Sequence, residues 1–203
     1  MKNSFYVILI LIIIGLSYLR ISNSNIPSPT PTTSPLATTS PTPSPINTTS
    51  LTTQYFTLNY PLEATTPAVS TNPDSIEWRV VYMGESQKAS GRTQTELFDG
   101  YAVSVARFEV HTTTDSARLQ AEADRQGTID ACGDEGATPI TEGKVGSYPA
   151  LTFFGRCLGE ATQYYLINND ALYRITAMVV GPEADLARYN QAVQSIFASL
   201  KFD

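Results

Sequence analysis

Three consecutive apolar runs between Val145 and Val180 restrict the fold more than any other part of this sequence. They read as strands over Ala150–Cys157, Thr162–Ile167 and Leu172–Val180. The joints between them, Leu158-Gly159-Glu160 and Asn168-Asn169-Asp170, are short and rich in turn formers. A parallel return needs a crossover of a dozen residues or more, so strands joined this tightly must pair antiparallel. The chain therefore has an antiparallel meander at the centre of one sheet.

Other segments supply further elements. Tyr55–Tyr60 alternates aromatic and polar residues and stops at Pro61. Ile76–Tyr82 places Ile76, Trp78, Val80 and Tyr82 on one face, and Tyr101–Val110 is apolar on nearly both, as a central strand would be. Pro139–Val145 reads as a short strand. Gly84–Gly100 reads as a long polar loop. Thr112–Asp115 offers N-caps for a helix over Ser116–Gln126, which Gly127 is expected to end or fray. Gly181-Pro182 opens a second helix, on which Leu186, Tyr189, Val193, Phe197 and Leu200 recur at helical spacing.

The N-terminal quarter differs in kind. Phe5–Leu19 is apolar apart from Gly15 and Ser17, and Ile21 extends it past Arg20. This length lies between a signal-peptide core and a spanning helix. Residues 1–21 are read as a hydrophobic membrane anchor, contacting the membrane through residues 5–21. The alternative is a cleaved signal cut near Ser24. Residues 22–53 form a Pro/Ser/Thr-rich tract with too few large apolar residues to repay ordering entropy. The expectation is a disordered linker, extended toward polyproline II, reaching roughly 90 Å at about 3.1 Å per residue. It contains the sequon Asn47-Thr48-Thr49 and many Ser and Thr that sugars would modify in a host with that machinery. Residues 54–203 then form a single globular domain.

Charge excludes some functions. Residues 54–203 carry 11 Lys and Arg against 19 Asp and Glu. An acidic domain with no basic cluster is a poor nucleic-acid binder, and none is expected. Cys132 and Cys157 lie 25 positions apart, outside any C-x-x-C spacing, with one histidine in the whole chain. That is too few ligands for a zinc site. In an oxidising compartment the two read as a disulfide worth roughly 3–4 kcal/mol. Two separate buried thiols are the alternative.

The element order and three motifs carry a family resemblance. Phe56-Thr57-Leu58-Asn59-Tyr60-Pro61 closes the opening aromatic strand. Gly146-Ser147-Tyr148-Pro149-Ala150 leads into the meander. Ser199-Leu200-Lys201-Phe202 ends the last helix. Over roughly Gln54–Asp203 the chain resembles the PsbP-like fold, shared by a photosystem II extrinsic protein, a Ran-binding import factor and bacterial envelope proteins. The resemblance implies an α+β domain: an antiparallel sheet of about six or seven strands with helices packed on it as an α/β/α sandwich. The chain departs from the family after Pro61, where Leu62-Glu63-Ala64 replaces a Lys/Asp-Gly-Trp turn. The family shares no catalytic residues, and the fold by itself specifies no activity.

Residue chemistry yields few candidates. His111 lacks a paired nucleophile motif, and the sequence has no G-x-S-x-G. Asp130, Asp134 and Glu135 surround a Gly-rich turn and are candidate ligands for a divalent ion, although their spacing is not that of an EF-hand. Tyr164, Tyr165 and Tyr173 are candidate ligand contacts, or else cross-strand packing pairs. No cofactor is implied. The sequence is read as a membrane-tethered, extracytoplasmic binding or interaction module without catalytic activity, its partner an unidentified protein or envelope ligand. The alternative is a cell-envelope hydrolase using carboxylates from Gly84–Gly100 or Asp130–Glu135.

Overall fold

The computed structural model describes residues 47–65, 67–92, 96–109, 115–157 and 159–203. The hydrophobic segment 1–21, most of the tract 22–53, and His111 lie outside the described residues. Among the described residues there are ten strands and three α-helices: β1 (Thr48–Thr52), β2 (Phe56–Pro61), β3 (Ala68–Asn72), β4 (Ser75–Met83), α1 (Glu85–Ala89), β5 (Gly100–Phe108), α2 (Ser116–Cys132), β6 (Thr141–Val145), β7 (Tyr148–Gly155), β8 (Ala161–Asn168), β9 (Ala171–Val180), α3 (Glu183–Ser199) and β10 (Lys201–Phe202).

Seven strands form one antiparallel sheet in the order β3-β4-β5-β9-β8-β7-β6. The expected meander is its β7–β9 segment, extended by β6. The β8–β9 joint is a two-residue turn in which Asn169 and Asp170 both take positive φ, 48° and 56°. Asn and Asp tolerate that region better than other residues bearing a Cβ, and the resulting twist suits a hairpin. The meander joins the β3–β5 hairpins where β5 pairs β9 from Gly100↔Val180 to Phe108↔Leu172. This is the middle of the sheet, and it explains why β5 is apolar on both faces.

The second sheet departs from expectation. β2 leaves the main sheet and pairs β1 on one side and β10 on the other. The assignment of 22–53 to linker is therefore too long at its end, because Thr48–Thr52 is a strand. Its β-branched threonines suit a pleated surface, and Leu51 packs on the core. β10 has only two residues, too short for a periodic signal. Between β2 and β4, the Thr- and Pro-containing stretch 62–74 contains the short strand β3.

One face of the large sheet carries α3 and the small sheet. Phe56, Leu58 and Tyr60 of β2 meet Trp78, Val80, Val103, Val105 and Ile175 of the large sheet and Tyr189, Val193, Ile196 and Phe197 of α3. Phe56 meets the Trp78 ring edge-on at 5.1 Å. Gly146, at φ 57° in the β6–β7 turn, brings the backbone against α3, and a Cβ there would lie 2.4 Å from the Phe197 carbonyl oxygen. The other face carries α2, whose buried Ala121 packs in one cluster with Ala137, Phe153 and Tyr165. Gly127 does not end this helix. Ile129 beyond it packs on the sheet, and the helix stops at Gly133, whose φ is 82°. The architecture is mixed α+β, and its third layer is part helix and part sheet.

Candidate functional site

Strand alternation decides what the three candidate tyrosines can do together. Tyr164 and Tyr165 are neighbours on β8 and so face opposite sides of the sheet. Tyr173, on β9 opposite Leu166, shares the α3 side with Tyr164. Tyr164 meets Phe197 edge-on at 5.3 Å, and Tyr173 packs on Phe202 at 4.4 Å. Tyr165 stacks on Phe153 at 6.0 Å beneath α2. Tyr165 and Tyr173 are buried, so the three form no common platform. Burial disfavours the phenolate and so pushes the pKa of all three phenols up.

Tyr165 instead anchors a polar cluster between α2 and the sheet. Its hydroxyl donates to Asp124 Oδ2 at 2.7 Å and lies 2.6 Å from Gln163 Oε1. One proton cannot serve two acceptors, so a Gln163 carboxamide turned to present its NH₂ completes the set. Arg174 Nη1 donates to Asp124 Oδ2 at 3.1 Å, and Gln120 Nε2 donates to Oδ1 at 2.8 Å. The Tyr165 phenol is held far above its ordinary value, first by burial and then by the Asp124 charge. Asp124, Gln163 and Arg174 of this cluster line a cleft of about 380 Å³ together with Cys157. Cys132 and Cys157 form a disulfide with Cα atoms 5.8 Å apart, pinning the end of α2 beside the end of β7. Sequence reasoning missed Asp124 and Arg174. The available signal was that Arg174 is the one charge in the apolar strand β9.

The other flank of α2 bounds a wider groove. It is open, about 630 Å³, floored by Pro149, Leu151, Tyr165 and Ile167. Its rim carries Asp115 and Arg118 from the start of α2 and Glu142 and Lys144 from β6. The floor is apolar and the rim bears both signs of charge, a combination that suits an extended chain more than a small charged molecule. On the opposite face, Tyr164 lines a depression of about 210 Å³ with Phe154, Val179, Leu186, Asn190 and Gln194.

The remaining candidates are placed as follows. Asp130 is exposed on α2 and accepts from Gln126, while Asp134 and Glu135 are exposed in a 3₁₀ turn. Among the described residues no three His, Cys, Asp or Glu side chains gather to hold a metal ion. The segment 84–100, expected to be a long loop, contains α1 and is tied down. Gln87 is fully buried, accepting from the Phe98 and Asp99 amides and donating to the carbonyls of Arg92 and Glu96. Asp99 is buried and accepts from the Ser86 amide at 2.9 Å. Among the described residues no helix is long and apolar enough to cross a membrane.

No protein-family model matches this chain, and no curated protein does. Among solved structures, a protein from Bacteroides thetaiotaomicron VPI-5482 is similar at 10% identity with a TM-score of 0.38. The similarity covers 73% of this chain and 45% of that one, so the chain spans less than half of that protein's length. At this score the likeness supports no statement about fold or function.

Proposed function

We propose that residues 48–203 form a non-enzymatic binding module held outside the cytoplasm on the Pro-rich tract and tethered through residues 5–21. The observation that carries the binding reading is the open groove beside α2, apolar along Leu151 and Ile167 and rimmed by Arg118, Glu142 and Lys144. Its occupant on this reading is an extended segment of an envelope protein. The Cys132–Cys157 bridge supports the compartment, since such bonds persist where the milieu is oxidising. An antiparallel sheet with α2 on one face and α3 on the other supports kinship with the PsbP-like sandwich. An experimental structure with a closed barrel would remove that kinship.

The groove is tested by selecting displayed peptides on the intact chain. Selected peptides are expected to lose at least tenfold in affinity with Leu151→Asp and to keep it with Gln194→Ala on the opposite face. Peptides insensitive to Leu151→Asp would remove the groove from the proposal. Topology is tested separately: protease added outside intact cells is expected to release the domain by cutting within 27–47. Full protection would sink the tethered arrangement.

A further inference from the structure

The two edges of the seven-stranded sheet are built differently. β6 carries Glu142 and Lys144, the kind of charges that discourage a further strand from pairing. β3 at the opposite edge, Ala68-Val69-Ser70-Thr71-Asn72, carries no charge, and all five residues are exposed. Val69 is 60% exposed although it stands opposite Trp78 of the core. Pro67 and Pro73 bracket the strand and offer no N–H, so the stretch able to pair is limited to these five residues.

We propose that β3 is a self-association edge, taking β3 of a second copy antiparallel about a two-fold axis through Ser70. The inference is independent of the groove reading. The case for a second copy is that β3 complements itself. A two-fold through Ser70 sets Ala68 opposite Asn72 of the second copy, Val69 opposite Thr71, and Ser70 opposite Ser70. Along an edge, alternate residues direct their N–H and C=O outward. This axis preserves that alternation, so outward-facing groups always meet outward-facing groups. Val69 and Thr71 are both β-branched and share the face of Trp78 and Ile76, so they form favourable cross-strand pairs. No like charges are set opposite one another, and the bracketing prolines of the two copies fall outside the paired window. Five residues bury too little surface for a permanent dimer, so the association is weak and concentration-dependent.

The test is site-specific cross-linking of the full chain. Both native cysteines are in the disulfide, so an introduced cysteine supplies the free thiol. Ser70→Cys places two thiols directly opposite, within reach of an intermolecular bond. Ala68→Cys leaves its two copies four residues apart along the strands, about 13 Å at roughly 3.3 Å per residue, beyond disulfide reach. Ser70→Cys is expected to form dimer at least tenfold faster than Ala68→Cys under mild oxidation. Adding Val69→Lys is expected to cut that rate at least fivefold with the far-UV circular dichroism unchanged. Equal rates for the two cysteine variants, or a Ser70→Cys rate untouched by Val69→Lys, would overturn the proposal.

Discussion

Tyr189 and Asp99, 90 positions apart, share a buried hydrogen bond in which the phenol donates to Oδ1 at 2.8 Å. The bond ties α3 to the segment that carries α1 into β5. Asp99 Oδ2 meanwhile accepts from the Ser86 amide, so one buried carboxylate joins three elements. Gly84 and Gly181 are required beside it, since a Cβ on either would lie within 2.7 Å of the Asp99 side chain.

Tyr189→Phe keeps the ring packing and strands a buried carboxylate oxygen. Leaving a buried acceptor unsatisfied costs about 1–3 kcal/mol, and more when it is charged. Urea unfolding followed by Trp78 fluorescence is expected to show a loss in that range with an unchanged m-value. A loss under about 0.5 kcal/mol, the scale of ordinary surface changes, would show that the carboxylate is satisfied without Tyr189.

Replacing Cys132 and Cys157 together by Ala releases the end of α2 from the sheet. The cross-link spans 25 positions, and its removal is expected to cost roughly 3–4 kcal/mol in the chain-entropy model. Amide exchange should quicken first in the last turns of α2, where Ala121, near the other end, is the helix's one fully buried residue. Uniform quickening across the sheet would mean that the bond guards the whole core and not one helix end.

Much of this arrangement can be read without coordinates. The meander follows from apolar runs and turn residues, and Asn169-Asp170 marks a hairpin by its chemistry alone. The buried face of α3 follows from its period. Other parts depend on contacts that local pattern does not encode. Lys201–Phe202 is a strand because β2 lies beside it. Thr48–Thr52 resembles the low-complexity tract it ends, and its partner decides its state. α2 outlasts Gly127 because packing by Ile129 outweighs a helix-interior glycine penalty of about 1 kcal/mol. The Asp124–Arg174 pair joins residues 50 positions apart, and no spacing rule reaches that far.

That pair is suited to a double-mutant cycle. Arg174 and Asp124 are both partly exposed, so solvent weakens the bare ion pair. The cluster gains from Asp124 also accepting from Tyr165 and Gln120. Asp124→Ala is expected to cost about 1–3 kcal/mol, because Tyr165, Arg174 and Gln120 all lose the carboxylate they donate to. Arg174→Met should cost less, and the coupling between the two should be about 0.5–1.5 kcal/mol. Coupling near zero would show that Asp124 works through Tyr165 alone.

High pH should expose the buried phenols. Tyr101 and Tyr165 are both buried, and both ionise well above the ordinary tyrosine value of 10.0, mainly because burial penalises the phenolate. The sign follows from proton counting. Above that ordinary value the unfolded chain has released protons that the folded chain still holds, so raising the pH favours unfolding. Stability contributed by these groups is complete below about pH 10 and falls above it, by about 1.4 kcal/mol per pH unit for each phenol still protonated in the fold. Urea titrations between pH 8 and pH 11.5 are expected to show a plateau and then this decline. Tyr165→Phe should make the decline shallower by about one tyrosine's share while lowering the plateau, since Asp124 then loses one of its three donors. An unchanged slope in Tyr165→Phe would show that the Tyr165 hydroxyl titrates freely in the folded protein.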